Sequence, residues 1–226
     1  MSLDLRALQA SPARFRDALL IDADGEPRRF GPTLDPWQAK DFAALDAGWK
    51  RVAGQKADGP LRAYLERPRG HSKTSDLAVM ATWALFASRR KLSGYGAAAD
   101  LDQAKLLHGA IDRIVRLNPW LTAILEVQRS TIVNSRTGST LEILTSDAPT
   151  SYGLTPDFLV IDELTHWTKR DLWDSLISSA AKRAACMLVI IANAGYGDSW
   201  QWETREAIRE NPSWYFSRID GPRASW

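Results

Sequence analysis

The sequence has few of the residues on which several classes of protein depend. Of its 226 residues, one is cysteine and three are histidine. A single cysteine, Cys186, excludes an internal disulfide framework, and its apolar surroundings favour a buried thiol over a nucleophile. The histidines His71, His108 and His166 lack the spacing of zinc ligands, so we expect no zinc site.

An excess of charge of one sign is missing as well. The formal net charge is +2, so the chain as a whole predicts no strong attraction to nucleic acid or to a membrane surface. One local basic patch, Arg89-Arg90-Lys91, stands out, for which a solvated helix end is the alternative interpretation.

Long apolar runs and a secretory leader are also lacking. The longest apolar stretches are on the order of ten residues, about half of what a membrane helix needs. The first residues have neither a basic nor an apolar region of the kind that begins a signal peptide. We therefore expect a soluble, intracellular protein without a membrane partner.

What the sequence does contain is enough apolar material for a core, at 45% hydrophobic residues. Two continuous apolar runs, 158–161 and 187–192, predict strands buried on both faces. Helical periodicity alternates with such strands, which predicts an α/β fold: a mainly parallel sheet with helices on both faces. Three short alternating segments predict a β-meander inserted in this pattern, at 124–128, 130–134 and 140–144.

The composition divides the chain into three parts. Residues 1–35 have partial helical spacing broken by Pro12 and predict a helical N-terminal appendage. Asp35 and Pro36 then predict the N-cap and first position of a helix, where a core of 36–197 begins. Residues 198–226 predict a C-terminal helix and a linker or lid segment, with a final edge strand near 214–219.

The segment richest in chemistry is a predicted strand, a basic turn and Lys73-Thr74 at the start of a helix. Such a junction offers a nucleotide phosphate backbone N–H groups, a helix N-terminus, an ammonium and a hydroxyl for Mg²⁺. Arg67 and Ser72 occupy the places of the two usual glycines, so the strict pattern is absent, and a basic loop capped by Thr74 is the alternative. The candidate nucleotide-binding residues here are Arg67, Arg69, Gly70, His71, Ser72, Lys73 and Thr74.

A second set of polar residues follows buried strands further along the chain. Asp162 and Glu163 end an apolar strand 89 residues after Lys73. We predict that Asp162, with Thr74, binds Mg²⁺ and that Glu163 is the general base that activates water. Asn193 ends the next buried strand and is predicted to sense the state of the γ-phosphate. Each feature alone is compatible with an ordinary strand end or turn, but together and in this order they predict an ATPase.

A polar side chain upstream of the loop completes the predicted site. Gln38 carries a donor and an acceptor on one amide, which suits the edge of adenine. Trp37 precedes it and is a further candidate contact to the base, with ordinary helix packing as the alternative for both.

These residues resemble the ATPase domain of the large terminase subunit of tailed bacteriophages. The resemblance extends from Pro36 to about Gly197: a Pro-Trp-Gln motif at 36–38, an arginine-led phosphate loop at 67–74, Gln103-Ala104 after the next strand, Gly153 before the Asp-Glu strand and a coupling motif near 192–194. It implies a P-loop NTPase of the additional-strand, catalytic-glutamate type, with Glu163 as the catalytic glutamate and ATP and Mg²⁺ as cofactors.

The resemblance also implies a molecular motor that packages viral double-stranded DNA. Its partners would be DNA, the portal protein, the small terminase subunit and further copies of the chain in a ring, usually of five. The expected location is the host cytoplasm, at the procapsid portal.

Two departures from the family keep other interpretations open. Tyr152 stands where many relatives have an arginine that reaches a neighbouring subunit, and Arg136, Arg129 or Arg116 are candidates for that trans-acting finger, with Arg136 the best exposed. The chain also ends before the family's nuclease domain, so we expect an isolated ATPase domain or a split subunit. The alternatives are a helicase-like translocase and a nucleotide-binding assembly module that is catalytically silent alone.

Overall fold

A sheet of eight strands forms the centre of the structure, a computed structural model that describes residues 3–23, 25–145 and 153–220. A separate two-stranded hairpin precedes it in the chain. In chain order the strands are β1 (Leu20–Ala23), β2 (Glu26–Arg29), β3 (Arg62–Glu66), β4 (Ser93–Ala98), β5 (Leu125–Val127), β6 (Thr131–Asn134), β7 (Thr140–Thr145), β8 (Phe158–Asp162), β9 (Met187–Ala192) and β10 (Tyr215–Arg218).

Helices connect most of these strands. They are α1 (Leu5–Ala10), α2 (Pro12–Ala18), α3 (Phe30–Thr33), α4 (Pro36–Val52), α5 (Lys73–Ala87), α6 (Leu101–Leu117), α7 (Pro119–Thr122), α8 (Asp171–Ala181) and α9 (Trp200–Glu210), with a 3-10 turn at Leu164–His166. None of the helices in the described part of the chain is both long and apolar enough to span a membrane.

The strand order of the large sheet is β10-β3-β9-β8-β4-β7-β6-β5. The pairs from β10 to β7 are parallel, and β7-β6 and β6-β5 are antiparallel, which confirms a mainly parallel sheet ending in the predicted meander. β9 lies between β3 and β8, so one additional strand separates the strand before the basic turn from the strand that ends in two carboxylates. Because parallel strands point the same way, both carboxyl ends lie at one edge of the sheet.

Apolar side chains cover both faces of this sheet. On one face α4, α5 and α6 pack over the strands, and α5 is buried along almost its whole length. The other face is covered by the 3-10 turn, α8 and α9, through Leu164, Trp167, Leu172, Leu176 and Ile208. Continuous burial on two faces explains why β8 and β9 are uninterrupted apolar runs.

The N-terminal residues differ from the predicted helical appendage in one respect. Ser11 caps α2 and Pro12 begins it, as expected for a proline break, but the polar segment after it forms the β1-β2 hairpin. Gly25 has φ +86°, which allows the tight connection between these strands. Phe15, Leu19 and Phe30 are buried in the same core as α4 and α5, so this segment packs as part of the main structure.

The C-terminal residues extend the sheet at its other side. Ser199 accepts a hydrogen bond from Trp202 N at the start of α9, and β10 then pairs in parallel with β3 as the predicted edge strand. Arg205 of α9 donates to Glu66 Oε2 at 2.6 Å. Since Glu66 is the last residue of β3, the C-terminal segment is attached at the base of the basic turn.

Two helical glycines test how closely the helices pack. A Cβ on Gly48 of α4 would collide with the carbonyl oxygen of Pro60, whereas on Gly109 of α6 its nearest contact would be Arg113 Nη1 at 3.6 Å. Gly48→Ala should therefore lower the free energy of unfolding by about 1–3 kcal/mol. Gly109→Ala, the matched control, should raise it by about 0.5–1 kcal/mol. Urea unfolding measures both, and equal effects of the two substitutions would contradict this packing.

Candidate functional site

The basic turn between β3 and α5 presents backbone donors to solvent. Gly70 has φ +75° and Ser72 has φ +48°, and Lys73 is the first residue of α5. The N–H groups of Gly70, His71 and Ser72 donate no hydrogen bond to any described residue. A left-handed non-glycine residue costs roughly 1–2 kcal/mol, so the strain at Ser72 is placed where free donors and the helix N-terminus converge. This arrangement suits an anion.

Lys73 connects the turn to the carboxylate pair. Its Nζ lies 2.9 Å from Glu163 Oε1 and donates to the carbonyl oxygens of Pro68 at 3.0 Å and Arg67 at 3.3 Å. The Lys73 and Glu163 side chains are only 7% and 13% exposed. The two segments, far apart in sequence, thus face one cleft.

Asp162 is buried beside Thr74, whose hydroxyl donates to Asp162 Oδ2 at 2.6 Å. Burial raises the pKa of the Asp162 carboxyl to about 6, and Glu163 adds to this rise, while the Thr74 hydrogen bond and Lys73 oppose it. Its Oδ1 is buried and accepts no hydrogen bond from the described residues. A buried carboxylate with an open oxygen, next to a hydroxyl, is a donor set that fits Mg²⁺.

Glu163 adopts a conformation that differs from its strand. Its φ is +50°, which turns the side chain out of the β8 pleat at the first position after the strand. Oε2 is buried and has no hydrogen-bond partner among the described residues. Its carboxylate therefore holds Lys73 with one oxygen and keeps the other available.

Asn193 is tied to the segment that follows Glu163. Its Oδ1 accepts hydrogen bonds from Thr165 Oγ1 at 2.8 Å and from Gly195 N at 3.0 Å. Its Nδ2 lies 3.4 Å from His166 Nε2. The structure thus brings Asn193 to the same sheet edge as Glu163 and links the two through the 3-10 turn.

Arg67 has a different environment from that expected of a phosphate ligand. It is 1% exposed, with Nη2 3.0 Å from Asp41 Oδ2 and Nη1 2.5 Å from Asp76 Oδ2. The guanidinium also lies over the Trp37 ring, 4.7 Å from its centroid. Two carboxylates satisfy its charge under the loop, so the structure does not bring Arg67 to the cleft but makes it a brace for the turn.

Gln38 belongs to the same buried network. Its Nε2 donates to both oxygens of Asp76, and its Oε1 accepts from Asp35 N as part of a capping box at the start of α4. Burial raises the pKa of Asp76 to about 6, and Arg67 and Gln38 oppose the rise. The amide is engaged at both ends, although it lines a cavity of about 260 Å³ beside Ser72. The described ring contacts of Trp37 are with Arg67 and His71.

The cleft in front of the turn has a volume of about 370 Å³. The structure brings most of the predicted loop residues to its wall: Arg69, Gly70, His71, Ser72, Lys73 and Thr74, with Glu163 opposite. Sequence analysis missed Arg113, an exposed residue of α6 that lines both this cleft and the neighbouring cavity. Leu106, Ala110 and Arg113 share one face of α6, a spacing that would have indicated a common wall.

Arg136 lies away from the site of its own chain. It is exposed in the turn between β6 and β7, beside Thr137, whose hydroxyl is 3.0 Å from Ser88 Oγ at the end of α5. Lys73 begins that helix, and its 15 residues place the two ends on the order of 20 Å apart. The comparison of Arg136 with Tyr152 as finger positions lies partly outside the described residues, because 146–152 are not among them.

Fold and site together define a P-loop NTPase with a catalytic-glutamate type of site. The family model for the ATPase domain of the terminase large subunit matches residues 36–210. The chain therefore belongs to this family, as the resemblance indicated.

Solved structures agree on the fold. The large terminase of bacteriophage HK97 matches with a TM-score of 0.75 and 20% identity over 95% of this chain and 44% of that chain. The ATPase domain of the Thermus phage P74-26 large terminase gives 0.56 and 19% over 75% and 83%. The large terminase of a thermophilic bacteriophage, in complex with ADP, gives 0.58 and 13% over 82% and 45%. The chain thus spans less than half the length of the HK97 protein.

The buried Asp162 gives a prediction with a definite sign. The folded carboxyl keeps its proton to about pH 6 and the unfolded one to about 3.8, so ionisation destabilises the metal-free protein as pH rises through this window. Asp162→Asn should therefore be about 1–3 kcal/mol more stable than wild type at neutral pH without Mg²⁺, and the gap should close near pH 4.

Asp157→Asn is the matched control for this measurement. The Asp157 carboxylate accepts from Ser93 N and is paired with Arg90 and Arg183. Removing its charge should destabilise the fold. Urea unfolding in which Asp162→Asn loses as much stability as Asp157→Asn would contradict the open, unpaired state of Asp162.

Proposed function

We propose that this chain hydrolyses ATP in a Mg²⁺-dependent reaction and that the hydrolysis drives translocation of double-stranded viral DNA into a procapsid. The observation that carries the proposal is the meeting of Lys73 with Glu163, at 2.9 Å, beside the Thr74–Asp162 hydrogen bond. Phosphoryl transfer depends mainly on positioning and on neutralisation of charge, and this cleft supplies groups for both.

Each side chain has a separate task in the reaction. The free N–H groups of 70–72 and the α5 N-terminus bind phosphate oxygens, and Lys73 exchanges its contact with Glu163 for the β- and γ-phosphates. Thr74 and Asp162 hold Mg²⁺, which when bound neutralises phosphate charge. Glu163, released from Lys73, accepts a proton from the attacking water. In the free protein the Lys73–Glu163 pair keeps both groups in place and inactive.

The base of the nucleotide is assigned to the cavity beside Ser72. Ile21, Phe30 and Ile114 supply apolar wall, and Gln38 supplies an amide. Because that amide already has partners on Asp35 and Asp76, its contact with adenine requires it to exchange or share one of them. Arg113, between cavity and cleft, is placed to contact phosphate or ribose oxygens.

The assembly follows the family. The proposed partners are double-stranded DNA, the portal protein, the small terminase subunit and further copies of this chain in a ring, of five by analogy with the family, in the host cytoplasm at the procapsid portal. A finger residue from a neighbouring copy, for which Arg136 was the sequence candidate, would complete each site. Hydrolysis that rises steeply with protein concentration would support completion by a neighbour.

Substitution of Lys73 and Glu163 separates binding from chemistry. Glu163→Gln should bind ATP about as tightly as wild type but turn it over about 10²-fold or more slowly, because it removes the general base. Lys73→Ala should weaken binding and abolish turnover, and Lys169→Ala, an exposed lysine outside the cleft, serves as control. Fluorescent-nucleotide titration and phosphate release measure these effects, and wild-type rates in both site variants would refute the assignment.

Thr165 is expected to position Asn193. Thr165→Val removes the hydroxyl that donates to Asn193 Oδ1 and should lower kcat about tenfold with little change in KM. Thr165→Ser keeps the hydroxyl and should restore the rate, so steady-state kinetics of the two variants distinguishes positioning from packing. Equal losses in Val and Ser would contradict the role.

A further inference from the structure

The basic residues that stood out in the sequence have neighbours that only the fold reveals. Arg89, Arg90 and Lys91 lead into β4, Arg136 lies in the turn before β7, and Lys182 and Arg183 come before β9. Since these strands are parallel, all six residues lie at one edge of the sheet, where the strands begin. We call this set the basic edge.

Direct contacts show that the basic edge is continuous. Arg90 and Arg183 both pair with Asp157, which leads into β8. A Cβ built on Gly138 would lie 4.0 Å from Lys91 Cδ, so the turn that holds Arg136 borders Lys91. From β9 through β8 and β4 to β7 is three strand spacings, about 14 Å.

The charge of the basic edge is poorly compensated. Within the described residues that lead into β4, β7, β8 and β9, Asp157 is the acidic side chain, and it is 4% exposed. The side chains of Arg89, Lys91, Arg136 and Lys182 are in exposed residues and form no ion pair in the described part of the chain. The C-terminal dipoles of α5 and α8 favour cations at 89–90 and 182–183 but do not account for Arg136, in a hairpin turn.

We propose that the basic edge binds the phosphate backbone of a nucleic-acid duplex. Arginine and lysine in a row of about 14 Å match phosphates on either side of a groove, and guanidinium groups bind phosphate oxygens in pairs. Protein interfaces have an apolar centre, but the exposed large hydrophobic residues of the described chain, Leu3, Leu101, Leu106 and Tyr196, lie outside the segments of this edge. This surface therefore fits a polyanion better than an acidic protein.

This inference rests on the proposed function for taking DNA as the duplex. The nucleotide cleft opens at the other edge of the sheet, about 20 Å away along α5. A nucleotide-dependent movement at the cleft can thus be transmitted through α5, whose first residue is Lys73 and which ends beside Arg89. The basic edge is also a more consistent assignment for Arg136 than its own chain's active site.

The test is duplex binding by two variants that lose equal charge. Arg89→Ala/Lys91→Ala/Lys182→Ala removes three unpaired cations of the basic edge. Arg28→Ala/Lys40→Ala/Lys169→Ala removes three exposed cations elsewhere and is the matched control. Fluorescence anisotropy with a labelled duplex of about 30 base pairs, without nucleotide, is followed over salt concentrations from about 50 to 200 mM.

The edge variant should bind about tenfold or more weakly at the lowest salt, and its slope of log affinity against log salt should fall by about 2–3. The control should keep the wild-type slope. Equal losses in both variants, or a polyglutamate peptide that competes as well as unlabelled duplex, would overturn the proposal, the latter in favour of a protein partner. Lys73→Ala should bind the duplex normally, so a failure here is separate from a failure of the ATPase assignment.

Discussion

The contact on which the rest of the structure depends is that between Lys73 and Glu163, at 2.9 Å in a nearly buried setting. It requires the ends of β3 and β8 to be brought to one edge of the sheet with β9 between them. Everything around it serves that geometry. The strained Ser72 directs the loop into α5, the left-handed Glu163 turns its carboxylate toward the loop, and the Thr74–Asp162 hydrogen bond joins the same two segments a second time.

A second layer of charges holds the loop from beneath. Arg67 is fixed by Asp41 and Asp76, and Tyr215 of the edge strand donates to Asp41 Oδ1 at 3.0 Å. Glu66, one residue earlier, is held by Arg205 of α9. Breaking one partner of such buried pairs leaves an uncompensated charge, so these residues make the loop stiff and couple it to α4 and to the C-terminal segment. A change at the phosphates is therefore felt by both.

The sequence predicted the parts of this structure that follow from local pattern. Continuous apolar runs located β8 and β9, periodicity located α6 at 101–117, and the order of loop, carboxylates and asparagine indicated the site. It did not reveal that Arg67 and Gln38 have carboxylate partners, because Asp41 and Asp76 are distant in sequence and were unremarkable there. Nor could it join Arg89–Lys91 with Lys182 and Arg183, since strand order and not spacing places them at one edge. The β1-β2 hairpin was missed because its outer strand, Glu26–Arg29, is polar and exposed throughout.

The central claim is that one triphosphate binds between Lys73 and the Asp162–Glu163 pair. The most direct measurement is a crystal structure with a non-hydrolysable ATP analogue and Mn²⁺, whose anomalous signal locates the metal directly. We predict a metal peak in contact with Thr74 and Asp162, a γ-phosphate on Lys73, and a Glu163 carboxylate that has left Lys73 to face a water. A metal and triphosphate bound elsewhere, with the Lys73–Glu163 pair intact, would contradict the account.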